Sequence, residues 1–204
     1  MSDTDLTLWV RGEPPAHDAI GTQTYGFWLY MMSDALIFAA LFASYGVLDH
    51  AWNAAGGPTA RAIVHPVEAF WQTILLFGAV LSGSLAMAGM KRRSRPAAAG
   101  FLLVAALLGT GFVALELRDL VTLVLAGDTP ERSAFLSMFF LLVATHGLHV
   151  LFGLLWMGVM IVQVLAFGFT APVVTRLLNM QMFWQFQAAI WVCVFVFVYL
   201  QGAM

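Results

Sequence analysis

Residues 134–167 read AFLSMFFLLVATHGLHVLFGLLWMGVMIVQVLAF, a run without a single Asp, Glu, Lys or Arg. As a helix rising about 1.5 Å per residue, it is longer than the roughly 30 Å hydrocarbon core of a bilayer. A segment of that length and polarity reads as a tilted or protruding transmembrane helix. The ionisable residues inside it, His146 and His149, then each need a structural or chemical reason for being there.

Four more apolar runs accompany it, at Tyr25–Leu48, Val67–Met90, Ala97–Ala126 and Val173–Tyr199. The breaks between the five runs are explicit. They are Gly56-Gly57-Pro58, the basic Lys91-Arg92-Arg93-Ser94-Arg95-Pro96, Gly127-Asp128-Thr129-Pro130, and Pro172 ahead of the last run. The composition agrees: 61% of the 204 residues are hydrophobic, 10% are charged, and the mean hydropathy is +0.87. Soluble domains carry roughly 25% charged residues. The expected architecture is therefore all-α, a polytopic transmembrane bundle of five helices over residues 25–204 behind a polar tail at residues 1–24. That tail contains Asp3, Asp5, Glu13 and Asp18 and lacks the basic-then-apolar order of a signal peptide.

Charge distribution orients the bundle. The tail and the loops after the second and fourth runs share one side and collect Arg11, Lys91, Arg92, Arg93, Arg95 and Arg176; the other side has Arg61, Arg118 and Arg132. The positive-inside rule places the amino terminus in the cytoplasm and the carboxyl terminus in the periplasm. The basic cluster is a topological anchor or an anionic-lipid site. A net charge of -2 gives no reason to expect a nucleic-acid partner. Cys193, the one cysteine, excludes a disulfide framework and a thiolate metal cage and reads as a core packing residue. Tyr25, Trp28, Trp71 and Tyr199 are expected at the interfaces, and Gly78, Ser82 and Ala86 at a close helix contact.

The candidate functional residues are the ionisable groups inside the spans: Asp34, Glu68, Glu116, Asp119, His146 and His149. Glu116 and Asp119 are three residues apart, as are His146 and His149, so each pair shares a helix face directed at protein. By helical phase Arg118 points away from its acidic neighbours and snorkels to the outer interface. The carboxylates are either structural groups hydrogen-bonded to neighbouring helices or proton-handling groups. The histidines make interhelical hydrogen bonds or, with a carboxylate, hold a non-haem metal. Two imidazoles three residues apart on one helix cannot face each other across a haem. No catalytic, cofactor-binding or metal site is assigned to this chain.

Several motifs, in order, carry a family resemblance. They are Gly26-Phe27-Trp28-Leu29-Tyr30-Met31-Met32-Ser33-Asp34, Gly111-Phe112 with Glu116 and Asp119, Pro130-Glu131-Arg132-Ser133-Ala134-Phe135-Leu136, Thr145-His146-Gly147-Leu148-His149-Val150 with Gly153-Leu154, and Trp191-Val192-Cys193-Val194-Phe195. Together they resemble subunit III of the haem–copper terminal oxidases in its five-helix form. The Met-Ser-Asp opening and the Pro-Glu-Arg-Ser loop resemble the quinol-oxidising, cytochrome o branch more than the cytochrome c oxidases.

The resemblance implies an accessory subunit of a proton-pumping oxidase in a bacterial cytoplasmic membrane. Its partners would be the catalytic subunit I, which holds the haem and copper, the other oxidase subunits, and membrane lipids, with phospholipid bound to this chain. It would support assembly and efficient proton uptake. An acidic residue in the third span is a family feature that Asp119 matches. The family's His and Asp in the motif Phe183-Trp184-Gln185-Phe186-Gln187-Ala188-Ala189-Ile190-Trp191 are replaced here by Gln185 and Ala188, so no role carries over to those two positions. A transporter would show repeated halves and broken helices; no proline falls inside the five runs, and five does not divide in two. A stand-alone membrane enzyme lacks a nucleophile–base pair or a ligand set.

Overall fold

The computed structural model describes residues 19–203. The segment with Asp3, Asp5, Arg11, Glu13 and Asp18 lies outside them. Among the described residues there is no strand, and five helices are long and apolar enough to cross a membrane. We label them α1 (Ala19–Leu48), α2 (Pro66–Lys91), α3 (Arg95–Leu125), α4 (Ala134–Phe167) and α5 (Ala171–Val194). A π-helical stretch, Phe195–Leu200, and a final turn, Gln201–Ala203, extend α5. Short turns at Ala51–Ala54, Ala60–Ile63 and Pro130–Arg132 fill the two longer connections.

The helix ends follow from the sequence breaks. Ser133 caps α4, its hydroxyl accepting from the Leu136 amide at 3.1 Å. Gly127, at φ 85°, closes α3 with paired bonds from the Asp128 amide to the Leu123 carbonyl and from the Gly127 amide to the Val124 carbonyl. Proline stands in the first turn of α2, α3 and α5, where its missing N–H costs nothing.

Helices α2 and α3 form a tight antiparallel hairpin, α3 packs on α4, and α4 on α5; α1 lies against α4 and α5 and not beside α2. The hairpin is close because its facing residues are small. Ala86 is fully buried, a Cβ on Gly78 would come within 3.2 Å of Leu108, and the Ser82 hydroxyl donates to the Phe101 carbonyl at 2.7 Å.

The core centres on two α5 indoles. Trp184 enters between α3 and α4 because Gly109 and Gly153 leave room: a Cβ at Gly109 would lie 2.9 Å from the ring, and one at Gly153 3.3 Å. Trp191 stacks edge-on to Phe112 with centroids 4.7 Å apart, and its N–H donates to Thr73 at 2.9 Å. Tyr25, Trp28 and Trp71 are exposed, whereas Tyr199 is buried against Trp191 and does not sit at the interface. Its ring turns inward because the last turns of α5 pack under the Ala60–Ile63 turn, where a Cβ on Gly202 would come within 3.1 Å of Ala60. Cys193 is half-buried.

Candidate functional site

The intramembrane polar residues fall into three groups. Two are histidine–carboxyl pairs, one fully buried and one part-buried, and the third is a half-exposed charged cluster.

In the innermost group, α3 presents Glu116 to His146 on α4. His146 is fully buried and Glu116 is 3% exposed. The His146 Nε2–H donates to the backbone carbonyl of Gln187 on α5 at 3.2 Å. A carbonyl only accepts, so this bond fixes the ring tautomer. Nδ1 is then left facing Glu116 Oε1 at 3.7 Å, just beyond hydrogen-bond length. Phe112, Trp191 and Phe38 box the imidazole, with centroids 5.7, 5.3 and 6.5 Å away. Gly147 makes the approach possible, because any Cβ there would collide with the Glu116 carboxyl, whose carbon would lie 3.0 Å away. Glu116 Oε1, His146 Nδ1 and both side-chain polar atoms of Gln187 are buried without a hydrogen-bond partner.

The second pair joins α4 to α1. His149 Nδ1–H donates to the Thr145 carbonyl at 2.7 Å, and Nε2 faces Asp34 Oδ1 at 3.3 Å. Phe38 lies 5.2 Å from this ring as well, so it separates the two histidines. The chemistry of both pairs is the same. One ring nitrogen is committed to a backbone carbonyl, and the other, a bare lone pair in the neutral ring, faces a carboxyl oxygen. In the Asp34–His149 pair, at 3.3 Å, a proton on either the acid or the ring would make this contact a hydrogen bond.

The third group gathers at the end of the bundle where α2 begins and α3 ends. Arg118 reaches Glu68 at 2.8 Å and Asp119 at 2.9 Å, and Gln72 donates to Asp119 at 2.7 Å. This corrects the expectation that Arg118 turns away from its acidic neighbours. Helical phase fixes only the direction of Cβ, and the long, flexible stem brings the guanidinium back to two carboxylates. Glu68, Arg118 and Asp119 line, with His65 and Tyr199, a cavity of about 310 Å³.

Spacing and tertiary placement thus part company. His146 and His149 share a helix but address different helices, and Glu116 and Asp119 divide between the inner pair and the outer cluster. Sequence reasoning missed Gln72 and Gln187, which are fully buried, and the closeness of Gly147 to Glu116. The family motif around Thr145-His146-Gly147 was the available signal for the last of these. Gln185 is exposed and Ala188 buried, so those two positions do not form one polar contact. Among the described residues no group of three His, Cys, Asp or Glu side chains converges to hold a metal ion.

Fold and site together define a multi-pass membrane protein whose intramembrane histidines and carboxyls meet across helices. Residues 15–203 match the family model described as cytochrome c oxidase subunit III. The chain belongs to that family, and a subunit III works among other oxidase subunits. It is 42% identical over 189 residues to cytochrome bo(3) ubiquinol oxidase subunit 3 of Pseudomonas aeruginosa, covering 93% of this chain and 90% of the relative. Quinol oxidase subunit 3 of Bacillus subtilis is 30% identical over 177 residues, covering 87% and 86%. Cytochrome c oxidase subunit 3 of Bacillus sp. PS3 is 34% identical over 177 residues, covering 87% and 84%.

Proposed function

We propose that this chain is the accessory, non-redox subunit III of a quinol-oxidising, proton-pumping haem–copper oxidase in a bacterial cytoplasmic membrane. The observation that carries the quinol assignment is the near full-length similarity to ubiquinol oxidase subunit 3 of Pseudomonas aeruginosa. The reaction, quinol oxidation coupled to reduction of dioxygen to water, belongs to the partner subunit I with its haem and copper. This chain braces that subunit, binds membrane phospholipid, and keeps proton uptake efficient. Its own contribution to proton handling is the Glu116–His146 and Asp34–His149 pairs. The positive-inside rule supports a cytoplasmic amino terminus, with the Glu68, Arg118 and Asp119 cluster on the periplasmic side.

The similarity to a Bacillus cytochrome c oxidase subunit 3 favours a second reading, with a cytochrome c as electron donor. One experiment separates the two. The tagged chain is purified from its native membrane in mild detergent, and a reduced-minus-oxidised spectrum and oxygen consumption are recorded. Stoichiometric haem with quinol-driven respiration is expected. Respiration driven by reduced cytochrome c would move the chain to the second reading, and a colourless, solitary chain from a detergent known to preserve the complex would overturn both.

A further inference from the structure

The last turn of α1 and the π-helical extension of α5 leave a groove of about 390 Å³ between them, whose wall includes Phe42, Tyr45, Gly46, Asp49, His50 and Gln201. That volume falls in the range of roughly 300–1,000 Å³ usual for small-molecule sites. We propose that this groove binds a quinol, in a site carried by this chain and separate from the place of quinol oxidation in subunit I. The identity of the ligand rests on the quinol-oxidase reading, whereas the test reads binding at these residues and not respiration.

Three features define the occupant. First, the polar wall is short of partners. Tyr45 is 2% exposed, and its hydroxyl is buried without a hydrogen-bond partner. A hydroxyl so placed is costly unless a ligand supplies the acceptor. Among the described residues no ion pair holds Asp49 or His50. The Tyr45 hydroxyl can donate to a quinone carbonyl, the Asp49 carboxylate can accept from a quinol hydroxyl, and the Gln201 amide can do either.

Second, the rest of the groove suits a ring with a tail. Phe42 and Phe197 form an aromatic wall, with centroids 6.1 Å apart. Phe197 is set there by the π-helical stretch Phe195–Leu200, a kind of turn found mostly at functional sites. Gly46 leaves the side open, since a Cβ there would meet nothing within 4 Å. Leu36, Ala40, Ala43 and Val47 are exposed, and their spacing makes one apolar stripe along α1 that leads into the groove.

Third, the sign of the charge excludes a phosphate. The groove wall contains no Lys or Arg and does contain Asp49; Arg61 lines only the adjoining cavity of about 230 Å³. A neutral head with a planar ring, polar oxygens and a long apolar tail satisfies all three features. A phospholipid headgroup would meet a carboxyl instead of a cation.

The test is photolabelling of the chain, in the complex it purifies with, by an azido-substituted benzoquinone bearing a decyl tail. Labelled peptides are mapped by mass spectrometry. Label should fall within residues 42–50 and 197–201 and be competed by decylubiquinone. Gly46→Leu fills the opening and should reduce the label at least about tenfold. Tyr45→Phe removes one hydrogen bond and should reduce it roughly threefold. Gly158→Leu is the control: that glycine is exposed on α4 and its Cβ would also meet nothing within 4 Å, so the label should be unchanged. Oxygen consumption is measured on the same preparations. Quinol-driven respiration without label in the groove, as a partner helix seated there would give, overturns this proposal and leaves the oxidase reading standing. Respiration driven by cytochrome c with the label in place does the reverse. Equal losses from Gly46→Leu and Gly158→Leu, or competition by phosphatidylglycerol as effective as that by decylubiquinone, also overturn the proposal.

Discussion

Glu116 and Asp119 stand one turn apart on α3, yet they live in different media. Glu116 is buried beside one aromatic-boxed imidazole, while Asp119 shares a cavity with Arg118 and Glu68 and accepts a hydrogen bond from Gln72. The comparison teaches that the surroundings assign these groups their work. In the outer cluster, a cation held by two carboxylates is screened by its own exposure, so its net contribution is small. In the inner pair both side chains are buried, so the pair is costly to break.

The largest effect should come from His146→Ala. It leaves Glu116 and the Gln187 carbonyl unpaired around a new cavity, and should cost about 3–5 kcal/mol, read as the loss of stability on thermal unfolding in detergent. Replacing both members of the pair, in H146L/E116L, should recover most of that loss, since an apolar pair of similar volume leaves nothing unsatisfied. Failure of the double variant to recover would show that the polar pair specifies the packing itself.

Next in size is Gly147→Val, which drives a branched side chain into the Glu116 carboxyl and should cost about 1–3 kcal/mol. A smaller, spectroscopic effect sharpens the comparison. Glu116→Gln should remove a protonated-carboxyl band from the infrared spectrum or shift the ring signals of His146, whereas Glu68→Gln should leave both untouched. Asp119→Asn should leave assembly intact and change proton uptake modestly; loss of the whole complex would instead make Asp119 structural. Arg118→Gln should be the mildest, with a thermal midpoint indistinguishable from that of the wild type. An effect as large as that of His146→Ala would erase the distinction between the two regions.

Much of the fold was legible in the sequence. The fourth span was read as Ala134–Phe167 and is a helix over those same residues, because Ser133 caps it and Gly168 ends it. The other spans shifted by a few residues; α1 begins at Ala19, inside what composition marks as tail, since Ala19 to Thr24 are compatible with a helix without being strongly apolar. The candidate site was legible as a roster: all six residues named from the cost of charge in lipid lie in the three polar groups. Their pairing was not. Tyr199 was misplaced because an aromatic ring near a span end suits both an interface and a core, and Arg118 because phase says nothing about where a four-bond arm comes to rest.

Hydropathy and charge, which are sums over local residues, determined by themselves that this protein is a five-span membrane bundle, and the order of its motifs pointed to its family. Which histidine faces which carboxyl, which glycine admits Glu116 or Trp184, and which side chains share a cavity were decided only by the tertiary structure. Those contacts join residues on different helices, from 30 to 115 positions apart for the two histidine–carboxyl pairs. Helical periodicity carries direction along one helix and no information about what stands opposite.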